Sequence, residues 1–285
     1  TYDEIAGRLV QFEKVLCIVN TRQDAKELYD RLPEEGVKLH LSRMMCPEHI
    51  CETINRIKKL LRSNDALVIR VIATQLVEAG VDMDFPVVFR QEAGLDSVLQ
   101  AAGRCNREGK LAQGKTFVFS LSAENRKPYG SMAAANNARL NLPATSDWFA
   151  PSVMEAYFKQ LYSRTETFDR KKISHYLYKP NELCFEKASD AFKLIEDDGV
   201  NLIVNWGNSM DLVAELKTSG CTYPLMKQLA KYTVGIRQSD FKKLVQYGAV
   251  KEILEGIYLL SDREQYDKDT GVRLDNHWME EILMI

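Results

Sequence analysis

The sequence predicts an α/β fold: a parallel sheet flanked by helices, followed by a linker helix and a small α+β accessory domain. Three observations carry this. Apolar runs of strand length alternate with amphipathic stretches of helical period over the first 120 residues. The connections between them are short, as repeated βα units in a parallel sheet require. Beyond residue 121 the chain turns polar and rich in breakers, then resumes with shorter alternating elements. The expected partition is a first domain at 1–125, a linker with a helix at 126–165, and an accessory domain at 166–285.

The first strand is KVLCIVN (Lys14–Asn20), a continuous apolar run suited to burial on both faces. TRQDAKELYDRL (Thr21–Leu32) follows as a helix, with Thr21 at its cap and Ala25, Leu28 and Leu32 on its apolar stripe. VKLHL is the next strand. PEHICETINRIKKLLR (Pro47–Arg62) begins with proline at the first helical position and places Ile50, Ile54, Ile57 and Leu61 on one face. ALVIRVIAT, FPVVF (Phe85–Phe89) and KTFVFSL complete the strands. The chain opens on Thr1 and is expected to run almost directly into a strand, as a piece of a longer polypeptide would. SAENRKPYGSMAAANNARLNLPATSDW (122–148) reads as a linker, partly helical around Met132–Leu140, with Pro128 and Pro143 as breakers. VMEAYFKQLYSR (Val153–Arg164) reads as an amphipathic helix whose aromatics either pack on the first domain, the commoner use, or stack on bases. Later, NLIVNW and GIYLLS read as strands, and MDLVAELK and DFKKLVQYG as helices.

Two motifs carry the chemistry: TQLVEAGVD (Thr74–Asp82) and QAAGRCNR (Gln100–Arg107). The first ends a strand in a glycine turn bearing a carboxylate. The second sets Gln100, Arg104 and Arg107 at i, i+4 and i+7, one face of a helix, with Gly103 open to close approach of a neighbouring backbone. Arginine stays protonated and offers forked donors that match phosphate oxygens. Ligands of parallel α/β sheets gather at the carboxyl ends of the strands, where Asn20, Thr21, Arg43 and Thr74 fall. Each of the four could equally be a cap or a turn residue, and for Thr21 the helix cap is at least as good a reading.

These residues resemble the second RecA-like lobe of superfamily 2 helicases. Asp82 matches the ribose-binding carboxylate of motif V, Gly80 its turn glycine, and Thr74 and Gln75 its nucleic-acid-facing end. Gln100, Arg104 and Arg107 match motif VI. VLCIVNTRQDA (Val15–Ala25) resembles motif IV, and LHLSR (Leu39–Arg43) the motif IVa region. The longer motif V, with Glu78 and a second aspartate, Asp84, together with Asn106 before the last arginine, narrows the likeness to the CRISPR-associated helicase-nuclease of type I systems. The resemblance covers about residues 14–121. It implies the C-terminal half of an ATP-dependent single-stranded DNA helicase acting in CRISPR interference. Gln100, Arg104 and Arg107 would be its catalytic residues, Gly80 and Asp82 its nucleotide contacts, and Asn20, Thr21, Arg43, Thr74 and Gln75 its DNA contacts. ATP with magnesium would bind in a site shared with a missing first lobe. The CRISPR surveillance complex and an N-terminal nuclease domain are the implied protein partners. Two other readings stay open: the same lobe from a restriction or repair translocase, or a non-enzymatic interaction module built on such a lobe.

GKLAQGKT (Gly109–Thr116) satisfies the P-loop pattern but follows the motif VI helix and feeds a strand, the reverse of a P-loop's context. It reads as a turn. IEDD (Ile195–Asp198) is a weak acidic candidate that a solvated turn explains. No His-Asp dipeptide occurs at His40, His49, His175 or His277. The chain alone is therefore expected to lack ATP hydrolysis. With 45% hydrophobic and 27% charged residues, the composition is that of an ordinary globular protein, and the net charge of −2 supplies no global field for nucleic acid. The six cysteines form no CxxC pair and no zinc-ligand spacing, so reduced thiols and a cytoplasmic setting are expected. No apolar run reaches the length of a membrane span.

Overall fold

A computed structural model describes residues 1–63, 67–143, 147–163, 168–169, 171–178, 182, 184–192 and 199–274. Helix α1 (Tyr2–Leu9) comes first, with the Thr1 hydroxyl accepting from the Glu4 N–H. The expected direct entry into a strand is thus corrected: a helix stands there, and its Thr-x-x-Glu capping box was readable in the sequence. Then follow β1 (Lys14–Val19), α2 (Arg22–Arg31), β2 (Val37–Leu41), α3 (Pro47–Arg62), β3 (Ile69–Thr74), β4 (Val87–Gln91), α4 (Leu95–Ala102) and β5 (Lys115–Phe119). The five strands form one sheet in the order β2-β3-β1-β4-β5. Every pairing is parallel.

The alternation along each strand fills two cores. Leu16, Ile18, Val71, Ala73 and Val88 point to one face, where Ile57 of α3 and Ala101 of α4 cover them. Val15, Cys17, Val19, Ile72 and Phe89 point to the other, against Ile5 and Leu9 of α1 and Ala25 and Leu28 of α2. Burial on both faces is what the near-continuous apolar strands require. α1 is tied in by the buried Asp24 carboxylate, which accepts from the Tyr2 hydroxyl at 2.7 Å and pairs with Arg126 at 3.4 Å.

Helices α5 (Gly130–Leu140) and α6 (Pro151–Ser163) close over α4. Tyr157 of α6 is fully buried and donates to Asp96 at 2.7 Å, so this helix packs on the first domain. Phe158 and Leu161 reinforce the contact. Short helices α7 (Ile173–Leu177) and α8 (Phe185–Ala191) follow. The second sheet is built from β6 (Gly199–Ile203), α9 (Ser209–Ser219), α10 (Tyr223–Leu229), β7 (Thr233–Arg237), α11 (Gln238–Gln246), β8 (Val250–Leu254) and β9 (Ile257–Leu260), in strand order β7-β6-β9-β8. A last hairpin pairs β10 (Tyr266–Asp267) with β11 (Gly271–Val272). IEDD and His277 lie outside the described residues.

The second sheet's core extends into the first domain, taking in Met44 and Cys46 from the loop after β2. The Val272 N–H donates to the Met44 carbonyl at 2.8 Å. The His49 ring stacks on Trp206, with centroids 3.7 Å apart, and its Nδ1 lies 3.0 Å from the Tyr266 hydroxyl. Trp206 Nε1 donates to Glu52 at 3.1 Å.

Candidate nucleotide and nucleic-acid site

The motif at Thr74–Asp82 leaves the carboxyl end of β3 as a 3-10 turn, Gln75–Val77, and passes through Gly80 at φ 72°, a left-handed conformation that favours glycine. The chain then returns along the sheet face to Phe85. Here the structure departs from the sequence reading. Gln100, Arg104 and Arg107 do not share a helix: α4 ends at Ala102, and only Gln100, exposed, lies on it. Phe85 explains the break. Its N–H donates to the Arg104 carbonyl at 2.9 Å and its carbonyl accepts from the Asn106 N–H at 2.9 Å. That bridge captures backbone groups a continuing helix would need. Gly103 is corrected as well, since a Cβ there would first meet its own helix's carbonyls, Gln100 O at 3.3 Å and Leu99 O at 3.5 Å.

The two arginines consequently differ. Arg104 is buried, donating from Nε to the Val77 carbonyl at 2.9 Å and from Nη2 to the Glu78 carbonyl at 2.7 Å. It buckles the turn after β3 onto the segment after α4. Burial first, then the neighbouring Arg107 charge, holds its pKa below the ordinary guanidinium range, opposed by Asp82 and Glu78. Arg107 is exposed, with its Nε 3.0 Å from the Asp82 carboxylate. Its backbone N–H donates to Asp84 at 2.7 Å, which aims the segment. An ion pair so open to water contributes at most about 1 kcal/mol, so both partners can turn to a ligand at small cost.

Asn106 sits at φ 48° and clasps Leu111, donating from Nδ2 to its carbonyl at 2.8 Å and accepting its N–H at 2.9 Å. The P-loop look-alike is the next stretch. Gly109 supplies a φ of 64°, and a Cβ on Gly114 would lie 2.6 Å from Cys105 Sγ. Both glycines therefore serve the turn, and Lys115 and Thr116 are already in β5.

The proposed DNA contacts line the carboxyl edge, apart from the Asp82–Arg107 group. Asn20 is locked there. Its Nδ2 donates to the Glu92 carbonyl at 2.9 Å, its Oδ1 accepts from Arg90 at 2.7 Å, and its N–H donates to Gln91 Oε1 at 2.7 Å. Thr21 caps α2, accepting the Asp24 N–H at 3.0 Å. Arg43 is exposed, Thr74 is buried at the strand end, and Gln75 is half-buried. Arg90 and Glu78, which sequence reasoning did not assign, join the two groups of residues. An arginine in an otherwise apolar strand was the available signal.

Among the described residues, no cluster of His, Cys, Asp or Glu could hold a metal ion, and no helix is long and apolar enough to cross a membrane. The described cysteines are all free thiols.

Residues 11–110 match the family described as CRISPR-associated nuclease/helicase Cas3, C-terminal. The likeness to the C-terminal part of a Cas3 helicase-nuclease thus spans about a third of the chain. A Cas3 of Methanothermobacter thermautotrophicus is 34% identical over 117 residues, which are 40% of this chain and 14% of the relative. A Cas3 of Haloferax volcanii is 48% identical over 54 residues, 18% of this chain and 6% of the relative. The chain thus matches only a small part of these curated Cas3 proteins. Among solved structures, T. fusca Cas3-AMPPNP is similar in fold, with a TM-score of 0.55 at 16% identity over 95% of this chain and 40% of that one. A chain of a CRISPR RNA-guided surveillance complex in a pre-nicking state is similar at a TM-score of 0.51 and 15% identity, covering 91% of this chain and 39% of that one. These likenesses confirm the parallel α/β fold and the expected resemblance to the C-terminal part of a Cas3 helicase-nuclease.

Proposed function

We propose that this chain supplies the second RecA-like lobe (1–125), a linker (126–165) and an accessory domain (166–285) to an ATP-driven single-stranded DNA translocase of CRISPR interference. The observation that carries the reading is the exposed Asp82–Arg107 pair on a left-handed glycine turn, with Arg104 buried beside it. The donor set fits a nucleotide: a carboxylate for ribose hydroxyls, and a guanidinium fork for the oxygens of a phosphoryl group. ATP with magnesium would supply the free energy of phosphoryl transfer. The residues of this chain would orient the ribose through Asp82 and neutralise charge developing on the phosphoryl oxygens through Arg107. A first lobe elsewhere in the polypeptide holds the phosphates and the metal in this reading, alongside the nuclease domain.

Asn20, Thr21, Arg43, Thr74 and Gln75 at the carboxyl edge face the DNA strand. Backbone contacts of that kind do not read bases, as a motor crossing any sequence needs. The likeness to a surveillance-complex chain supports that complex as a partner.

Steady-state ATP hydrolysis by the isolated chain, with and without single-stranded DNA, tests the shared site. No turnover is expected. Turnover abolished by Lys115→Ala would make the Gly109–Thr116 turn a working P-loop and contradict the reading.

A further inference from the structure

We propose that Arg90 and Glu78 are positioning residues forming a two-position link between the DNA-facing Asn20 and Arg104, the buried anchor of the nucleotide-facing turn. The inference rests on the function proposed above and names how its two ends communicate.

The link is continuous and buried. Arg90 of β4 has no exposed surface and Glu78 is 7% exposed. Arg90 Nη1 donates to Asn20 Oδ1 at 2.7 Å and to the Gln91 carbonyl at 2.8 Å. Its Nε lies 2.8 Å from Glu78 Oε1. The other carboxylate oxygen of Glu78 accepts from Ser97 at the start of α4, at 3.2 Å. The Glu78 carbonyl receives Nη2 of Arg104. One residue after the 3-10 turn thus holds β4, α4 and the segment that presents Arg107.

The pair is under-used in a specific way. Although Nε and Oε1 are close, they lack hydrogen-bond alignment, and Nη2 of Arg90 has no partner at all. Unsatisfied buried donors on a guanidinium are costly. A modest rotation would pair Nε and Nη2 with the Glu78 carboxylate in the bidentate geometry that arginine and carboxylate favour, at the expense of the bond to Asn20. Two arrangements are therefore available: Arg90 holds Asn20, or it closes fully on Glu78. A DNA phosphate, itself an acceptor, competes with the Glu92 carbonyl for Asn20 Nδ2; turning the amide toward it draws Oδ1 away from Arg90 and favours the second. Tightening Arg90 onto Glu78 moves the carbonyl that anchors Arg104, and with it the nucleotide-facing turn. Coupling of this kind requires one bistable element that both sites bias, and the Arg90–Glu78 pair has the free valences for it.

The test uses a polypeptide carrying both lobes and measures ATP turnover with and without single-stranded DNA. Arg90→Lys is expected to keep DNA-free turnover while the DNA stimulation falls about tenfold or more. Lysine preserves the charge but cannot make the two parallel bonds, so a merely structural ion pair would be rescued by it. Removing one partner of a buried pair can unfold a lobe, whereas replacing both with apolar residues of similar size tends to preserve it. Glu78→Leu/Arg90→Met is therefore the second variant, expected to melt near the parent temperature and to lack DNA stimulation. Full stimulation in either variant overturns the link, as does a parallel fall of stimulated and DNA-free turnover in both. Arg107→Ala in the same assay separates the two ideas: if it leaves turnover intact, the nucleotide-site reading itself fails; if it abolishes turnover while Arg90→Lys retains stimulation, only the link fails.

Discussion

Arg104 and Arg107 lie three residues apart and match the same motif, yet their surroundings assign them different consequences when removed. Arg104 holds the Val77 and Glu78 carbonyls from a buried position. Arg104→Ala is expected to cost about 1.5–3 kcal/mol, since bonds from a charged donor to buried carbonyls are at stake. A lowered melting temperature in the isolated chain would register it. Arg107→Ala, which opens only an exposed pair, is expected to leave the melting temperature within a degree or so of the parent. Equal destabilisation by the two variants would contradict the structural distinction. The sequence displayed both arginines but not this difference. Their spacing reads as one helix face, and nothing local announces that the Phe85 backbone will claim the Arg104 carbonyl and the Asn106 N–H.

At the scale of elements, the central strands β1, β3 and β4 were legible because each buries both faces and so reads as a largely apolar run, as in KVLCIV of β1. Helix α1 carries its own signal: Thr1 and Glu4 mark its start, and Tyr2, Ile5, Ala6 and Leu9 recur at i, i+3, i+4 and i+7. The junction between the two domains was not legible, since it depends on contacts between residues about 220 apart, such as Cys46 and Tyr266. Gly271 is the tightest point of that junction. It sits at φ 85°, and a Cβ there would lie 2.1 Å from the Met44 carbonyl oxygen. Gly271→Ala is expected to loosen the accessory domain, costing about 1–3 kcal/mol from the backbone conformation alone. Limited proteolysis should show faster cleavage between the domains; unchanged protection would contradict it.

The same junction carries an acid sensitivity. Burial pulls His49 down to about 4 and His40 to about 3, from an ordinary 6.5. Because the folded values lie below the unfolded one, the unfolded chain takes up protons that the fold refuses. Stability from these residues is complete above about pH 6.5 and is lost as pH falls toward the folded values. His49 alone accounts for a loss on the order of 3 kcal/mol across that window. Melting temperature measured from pH 7 to pH 4.5 should drop, and His49→Gln should flatten the slope. An unaltered slope would place the acid sensitivity elsewhere.

For the whole molecule, composition said little and motif order said much. A net charge of −2 gives no long-range pull on nucleic acid. The isolated chain is therefore expected to bind labelled single-stranded DNA weakly, without sequence preference and with strong salt dependence. Tight, salt-insensitive binding would favour an interaction module instead. The fold of the first domain could be read from its alternating strands and helices, whereas the pairing of Asp82 with Arg107, from two separate motifs, could not. The accessory sheet's shared core, through Met44 and Cys46, could not be read so. The central claim is that Arg107 acts on a nucleotide held by another lobe. It is tested most directly by DNA-dependent ATP turnover of a polypeptide carrying both lobes, comparing the parent with Arg107→Ala and Arg107→Lys. The structure predicts a fall of about three orders of magnitude or more for alanine with no rescue by lysine, because a point charge lacks the guanidinium fork. Near-parent turnover in Arg107→Ala would reduce the Asp82–Arg107 pair to an ordinary surface ion pair and contradict the claim.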